Sequence, residues 1–105
     1  MALLGMFNTR ELEEFATSLA NDLGRRFPPA SEARTDPGAK HQIKVILEGL
    51  SARAVRYQTE NKLGIYKKAK LGNVFKWKLK ELGYSDDFAE RATREIVTRL
   101  AVNRR

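Results

Sequence analysis

The strongest candidate for chemistry in this sequence is a cluster of basic and aromatic residues in its second half. Residues 53–80 contain nine lysines and arginines and a single acidic residue, Glu60. Basic side chains neutralise phosphate groups, and an exposed aromatic ring can stack on an unpaired base. The candidate site residues are Arg53, Arg56, Tyr66, Lys67, Lys68, Lys70, Lys76, Trp77, Lys78 and Lys80.

The positive charge is a property of this segment rather than of the whole chain. The formal net charge is +7, but residues 1–24 contain one arginine against four acids, and residues 81–105 contain five bases and five acids. A localised excess of charge predicts a polyanionic partner, and we favour nucleic acid. Because lysine is a compact point charge that reads base edges poorly, binding should depend on salt and tolerate many sequences.

Three other interpretations of the same residues remain open. The lysines can form a solvated face while Trp77 packs against a neighbouring helix, and for Trp77 taken alone we favour that packing. The segment can serve a protein–protein or self-assembly interface, together with the apolar start Leu3, Leu4, Met6 and Phe7. An anionic membrane surface is disfavoured, since Lys78 falls within the apolar stripe of the segment.

The sequence offers little material for catalysis or for binding a cofactor. His41 is the only histidine and there is no cysteine, which excludes thiolate metal sites and cysteine nucleophiles. The acids Asp86, Asp87 and Glu90 belong to the first turns of a predicted helix, where acids complement the helix dipole. We therefore expect no enzymatic activity, cofactor, metal or small-molecule substrate.

Length and composition predict one domain in a reducing compartment. A chain of 105 residues is the size of a single domain and can bury a core without staples. No stretch approaches the length of about 20 apolar residues that a spanning helix needs, and the apolar start is too short for a signal peptide. We expect the protein to be cytoplasmic.

Hydrophobic periodicity predicts an all-α bundle of about four helices. The first helix is predicted over residues 9–23, with a capping box of Asn8 and Glu11, a staple of Phe7 on Leu12, and Gly24 as its stop. A proline-rich loop, residues 25–38, follows, and we favour its being pinned to the core by Phe27. The second helix is predicted over residues 39–63, ending at Gly64.

The basic segment itself is ambiguous between two periods. Read as a helix over residues 66–82, it places Leu71, Phe75 and Leu79 in one stripe; read as strands, Phe75, Trp77 and Leu79 alternate with lysines around a Gly72-Asn73 turn. We favour the helix, because an isolated hairpin is marginal in water. A last helix is predicted over residues 86–102, after a stop at Gly83 and a cap at Ser85 or Asp86.

Overall fold

The computed structural model describes residues 9–102, which form four α-helices and no strand. The helices are α1 (Arg10–Arg26), α2 (Pro37–Asn61), α3 (Ile65–Leu82) and α4 (Asp86–Val102), and a short 3-10 helix (Pro29–Ala33) lies between α1 and α2. The prediction of an all-α bundle of four helices is confirmed. Ile65–Leu82 is one continuous helix, so the alternative of a β-hairpin within residues 65–80 is wrong.

The pairing of the helices does not follow their order in the chain. Helix α1 packs most extensively on α3, and the two run parallel, since Glu13 pairs with Lys70 near one end and Gly24 contacts Leu82 near the other. Helix α4 packs on both α3 and α2. Helices α2 and α3 are joined by a short turn, yet they lie diagonally across the bundle with few contacts.

Contacts between side chains give the remaining directions. Helix α4 is antiparallel to α3, because Lys76 pairs with Glu90 while Gly72 lies against Val97. At the end where α2 and α4 both terminate, the Gln58 amide donates to the Leu100 carbonyl at 3.0 Å. The end of the molecule where α2 ends and α3 begins is therefore also the end where α1 begins and α4 ends.

One core lies between the four helices, because each of them buries the apolar stripe that its periodicity predicts. Phe75 of α3 is fully buried in this core, to which all four helices contribute, chiefly with leucines and alanines. The small residues Ala16, Ala20 and Ala92 allow the helix backbones to approach one another.

The proline-rich loop is pinned, as predicted, with Phe27 buried against the core. The Tyr84 hydroxyl donates to the Phe27 carbonyl, and the Glu32 carboxylate accepts from the Ser85 backbone N–H at 2.9 Å. These bonds tie the loop to the turn between α3 and α4.

Two predicted helix ends are wrong. Helix α1 continues through Gly24 to Arg26, because Gly24 lies against Leu82 of α3 and the cap falls at Phe27. Helix α2 ends at Asn61, and Lys62 rather than Gly64 takes the left-handed conformation, with φ 51°.

The other helix ends follow capping chemistry. Helix α2 begins at Pro37, two residues before the predicted start, because the Asp36 carboxylate accepts from the Ala39 N–H at 3.1 Å. Gly83, with φ 113°, ends α3 as predicted, and the Ser85 hydroxyl caps α4 by accepting from the Phe88 N–H at 3.1 Å. The predicted capping box on Asn8, the staple on Phe7 and the apolar start lie outside the described residues.

Candidate functional site

Helix α3 carries eight of the ten predicted site residues, and its regular turn distributes them around three sides. Successive side chains on a helix are separated by 100°, and the side centred on Phe75 is buried in the core. Lys70 and Lys78 therefore border α1, while Lys76 and Lys80 border α4. The predicted cluster does not form one basic face.

The four lysines after the first turn of α3 all have acidic partners. Lys76 Nζ lies 3.2 Å from Glu90, and Lys80 Nζ lies 3.6 Å from Asp86, so both are compensated by α4. The other two pairs join Lys70 to Glu13 of α1 at 3.8 Å and Lys78 to Glu81 of α3 itself at 3.2 Å. A polyanion that bound these lysines would have to compete with carboxylates already in place.

Arg53 is also compensated, and it lies on a different side of the molecule. Its guanidinium contacts the Asp22 carboxylate of α1 at 3.3 Å. The same carboxylate lies 2.9 Å from Arg25 and 3.3 Å from Arg26. Asp22 thus holds three arginines where α1 and α2 meet.

The remaining predicted cations have no ion-pair partner among residues 9–102. Arg56 lies on the exposed side of α2 near its end, and Lys67 and Lys68 lie in the first turn of α3, which contains no acid. Lys62 lies in the turn between α2 and α3, and it also has no ion-pair partner in the described part of the chain. We call Arg56, Lys62, Lys67 and Lys68 the basic end.

Two further features mark the basic end. The first turn of a helix carries the positive end of its dipole, so Lys67 and Lys68 lie at the positive end of the α3 dipole. Ile65 and Tyr66 lie beside them and are 86% and 57% exposed. Sequence reasoning did not single out Lys62, because nothing in the pattern shows that this residue, and not Gly64, occupies the left-handed turn.

Trp77 is on the surface, 58% exposed, so the favoured prediction that it packs against a neighbouring helix is wrong. Trp77 comes two positions after Phe75, so its side chain projects from nearly the opposite side of α3 and lies outside the core. Lys80 Nζ lies 4.9 Å from the centre of the indole ring, in a cation–π contact. Eleven residues separate Trp77 from Tyr66, or about 16 Å along the helix at about 1.5 Å per residue, so the two aromatic rings do not share one site.

The residues considered for catalysis are dispersed. His41 is exposed near the start of α2, and the acids that begin α4 pair with cations, Asp86 with Lys80 and Asp87 with Arg91 at 3.3 Å. Within residues 9–102, no three or more histidine, aspartate or glutamate side chains lie close enough to hold a metal ion.

Neither the apolar character of the described helices nor a comparison with known proteins connects the chain to a membrane or to a known family. None of the helices within residues 9–102 has both the length and the apolar character needed to cross a membrane. No protein-family model matches the chain, and no curated protein or solved structure matches it significantly.

Proposed function

We propose that this chain is a non-enzymatic binding protein that docks nucleic acid on the basic end, with little sequence specificity. The observation that carries the proposal is that Arg56, Lys62, Lys67 and Lys68 lie at one end of the bundle without an ion-pair partner among residues 9–102, so that four cations there face the single acid Glu60 of the segment 53–80. The absence of cysteine suits the cytoplasm, where we place this activity.

The electrostatics favour this end over the rest of α3. A phosphate that approaches Lys76 or Lys80 must displace Glu90 or Asp86, whereas Lys67 and Lys68 hold no carboxylate of residues 9–102 that a phosphate would have to displace. The displacement cost makes the paired lysines the weaker sites.

The neighbouring aromatic ring favours a single strand. Tyr66 is more than half exposed beside Lys67, and stacking of an unpaired base on such a ring contributes about 1–3 kcal/mol. Stacking is available to every base, so the interaction should be tolerant of sequence. Single-stranded oligonucleotides are therefore the first ligands to test.

The test is a salt titration of binding to a labelled single-stranded oligonucleotide of mixed sequence, followed by fluorescence anisotropy. Four phosphate contacts predict that the logarithm of the affinity falls with the logarithm of salt concentration with a slope of about −3. The double variant Lys67→Gln/Lys68→Gln should bind more weakly at low salt and lose about half of that slope.

A matched control separates the basic end from net charge. Lys76→Gln/Lys80→Gln removes the same two charges from paired positions and should change binding much less. An equal loss in both variants would refute the assignment to the basic end, and no binding of the wild type to single or double strands at low ionic strength would refute the function. Binding to vesicles of anionic phospholipid without binding to any oligonucleotide would identify a membrane surface instead.

A further inference from the structure

A long open groove runs between the parallel helices α1 and α3, from near the basic end towards the middle of the bundle. Its volume is about 820 Å³, and Trp77 and Val74 of α3 form its apolar part. The facing side of α1 contributes the small polar residues Thr17, Ser18 and Asn21. An exposed tryptophan beside a groove is typical of a protein-docking surface, because tryptophan is enriched among residues that dominate binding energy.

The groove is less suited to nucleic acid than the basic end, because its charge is mixed. Glu13 and Glu14 line it together with Arg10, Lys70 and Lys78, and Lys80 already covers part of the Trp77 indole. Glu14 is exposed and has no ion-pair partner among residues 9–102, so it repels a polyanion. The chemistry of this surface therefore differs from that of the basic end.

The two sides of the groove carry opposite charges at the same level. Near the start of the helices, Glu13 and Glu14 of α1 lie across from Lys70 of α3. Near the other end, Arg25 of α1 is level with Glu81 of α3, because Gly24 contacts Leu82. The neutral stretch of α1 lies between these charges, beside Trp77.

We propose that a second copy of this chain docks on the groove, related by a two-fold axis parallel to the helices. That axis places α1 of each protomer against α3 of its partner at the same level, so that acids meet lysines at both symmetric positions. Glu14 then faces Lys70 of the other copy, and Trp77 packs on the small residues Thr17, Ser18 and Asn21 of the other copy. A two-fold axis across the helices brings α1 against α1 instead and lacks this complementarity.

The first test uses Trp77, which is the only tryptophan of the chain. Sedimentation velocity across a wide range of concentration should show a reversible dimer, and the Trp77 emission should shift to shorter wavelength as the dimer forms. Trp77→Ala should weaken the association at least about ten-fold while leaving the helical content unchanged, because the side chain is exposed in one copy.

The second test is a charge exchange. Glu14→Lys alone and Lys70→Glu alone should each weaken the dimer, because each places like charges together, whereas an equimolar mixture of the two variants should restore association. Glu48→Lys and Lys44→Glu make the same changes on exposed positions of α2 and should have no effect.

Two outcomes overturn this inference. A monomer at every concentration excludes the dimer, and a dimer that withstands Trp77→Ala and both charge reversals uses another face. The experiments contain no nucleic acid, so their result is independent of the function proposed above.

Discussion

Tyr84 contacts three parts of the fold: α1, the start of the proline-rich loop, and α4. Its ring is buried and stacks on Phe88 of α4, with 4.7 Å between the ring centres. Its hydroxyl donates to the Phe27 carbonyl and lies 3.4 Å from the Leu23 carbonyl at the end of α1. Burial, with a smaller contribution from the Glu32 carboxylate, raises the pKa of Tyr84 to about 12.

Removing this hydroxyl with Tyr84→Phe should cost about 1–2 kcal/mol of unfolding free energy, because it leaves a buried carbonyl unpaired. The loss should also depend on pH. Since the folded pKa of about 12 exceeds the ordinary value of 10.0, the stabilising contribution is complete below about pH 10 and disappears as the pH rises towards 12. Urea unfolding of both proteins from neutral to alkaline pH should therefore show the difference shrinking above about pH 10; a constant difference would contradict this account.

The sequence identified the basic residues but not which of them are compensated. Lys70 and Glu13 are 57 positions apart in the chain, and only the packing of α1 on α3 brings them to 3.8 Å. Lys67 and Lys70 look alike in a charge pattern, whereas the structure gives only Lys70 an acidic neighbour among residues 9–102. The exposure of Trp77 was missed for a similar reason, because two competing periods left its side of the element undetermined.

At the scale of elements, Gly72 sets how closely α3 approaches α4. It is buried in the middle of α3, and a Cβ added there would lie 2.9 Å from Val97 Cγ2 of α4. The sequence interpretation treated this glycine as a possible turn. Its role is a close contact between two helices, which no local pattern reveals.

The double-mutant cycle of Gly72→Ala and Val97→Ala measures this contact. Alanine should gain about 1 kcal/mol in helix propensity over glycine, but the clash with Val97 should cost about 1–3 kcal/mol and make Gly72→Ala neutral to destabilising. In the Val97→Ala background the clash is absent, so Gly72→Ala should be stabilising there. Thermal and urea unfolding give the four free energies, and an equal effect of Gly72→Ala in both backgrounds would argue against the contact.

Helix ends were predictable where local chemistry decides them. Gly83 ends α3 and Ser85 caps α4, as their residue types indicate. The helix ends predicted from Gly24 and Gly64 are wrong. Gly24 lies within α1 and contacts Leu82, and Lys62 instead of Gly64 adopts the left-handed conformation, with φ 51°. Tertiary packing overrode the local signal at α1, and the stop at α2 moved by two residues.

For the whole molecule, the number and type of helices could be predicted but their arrangement could not. Each apolar stripe shows that a helix must be covered, without showing by which partner. Short connections usually place consecutive helices side by side, yet α2 and α3 lie diagonally and α1 pairs chiefly with α3. The basic end and the groove are both products of this arrangement.

The same arrangement has a consequence for folding kinetics. The consecutive helices α3 and α4 can pair locally, but α1 with α3 and α2 with α4 join distant positions, such as Glu13 with Lys70 and Gln58 with Leu100, so loops of 40 or more residues must close before these two interfaces form. We expect folding on a timescale of about milliseconds or slower, which is slower than the folding of helical bundles whose consecutive helices pair. Stopped-flow refolding measures this rate, and relaxation within microseconds would contradict the expectation. During synthesis, the apolar face of α1 should stay exposed until α3 has been synthesised.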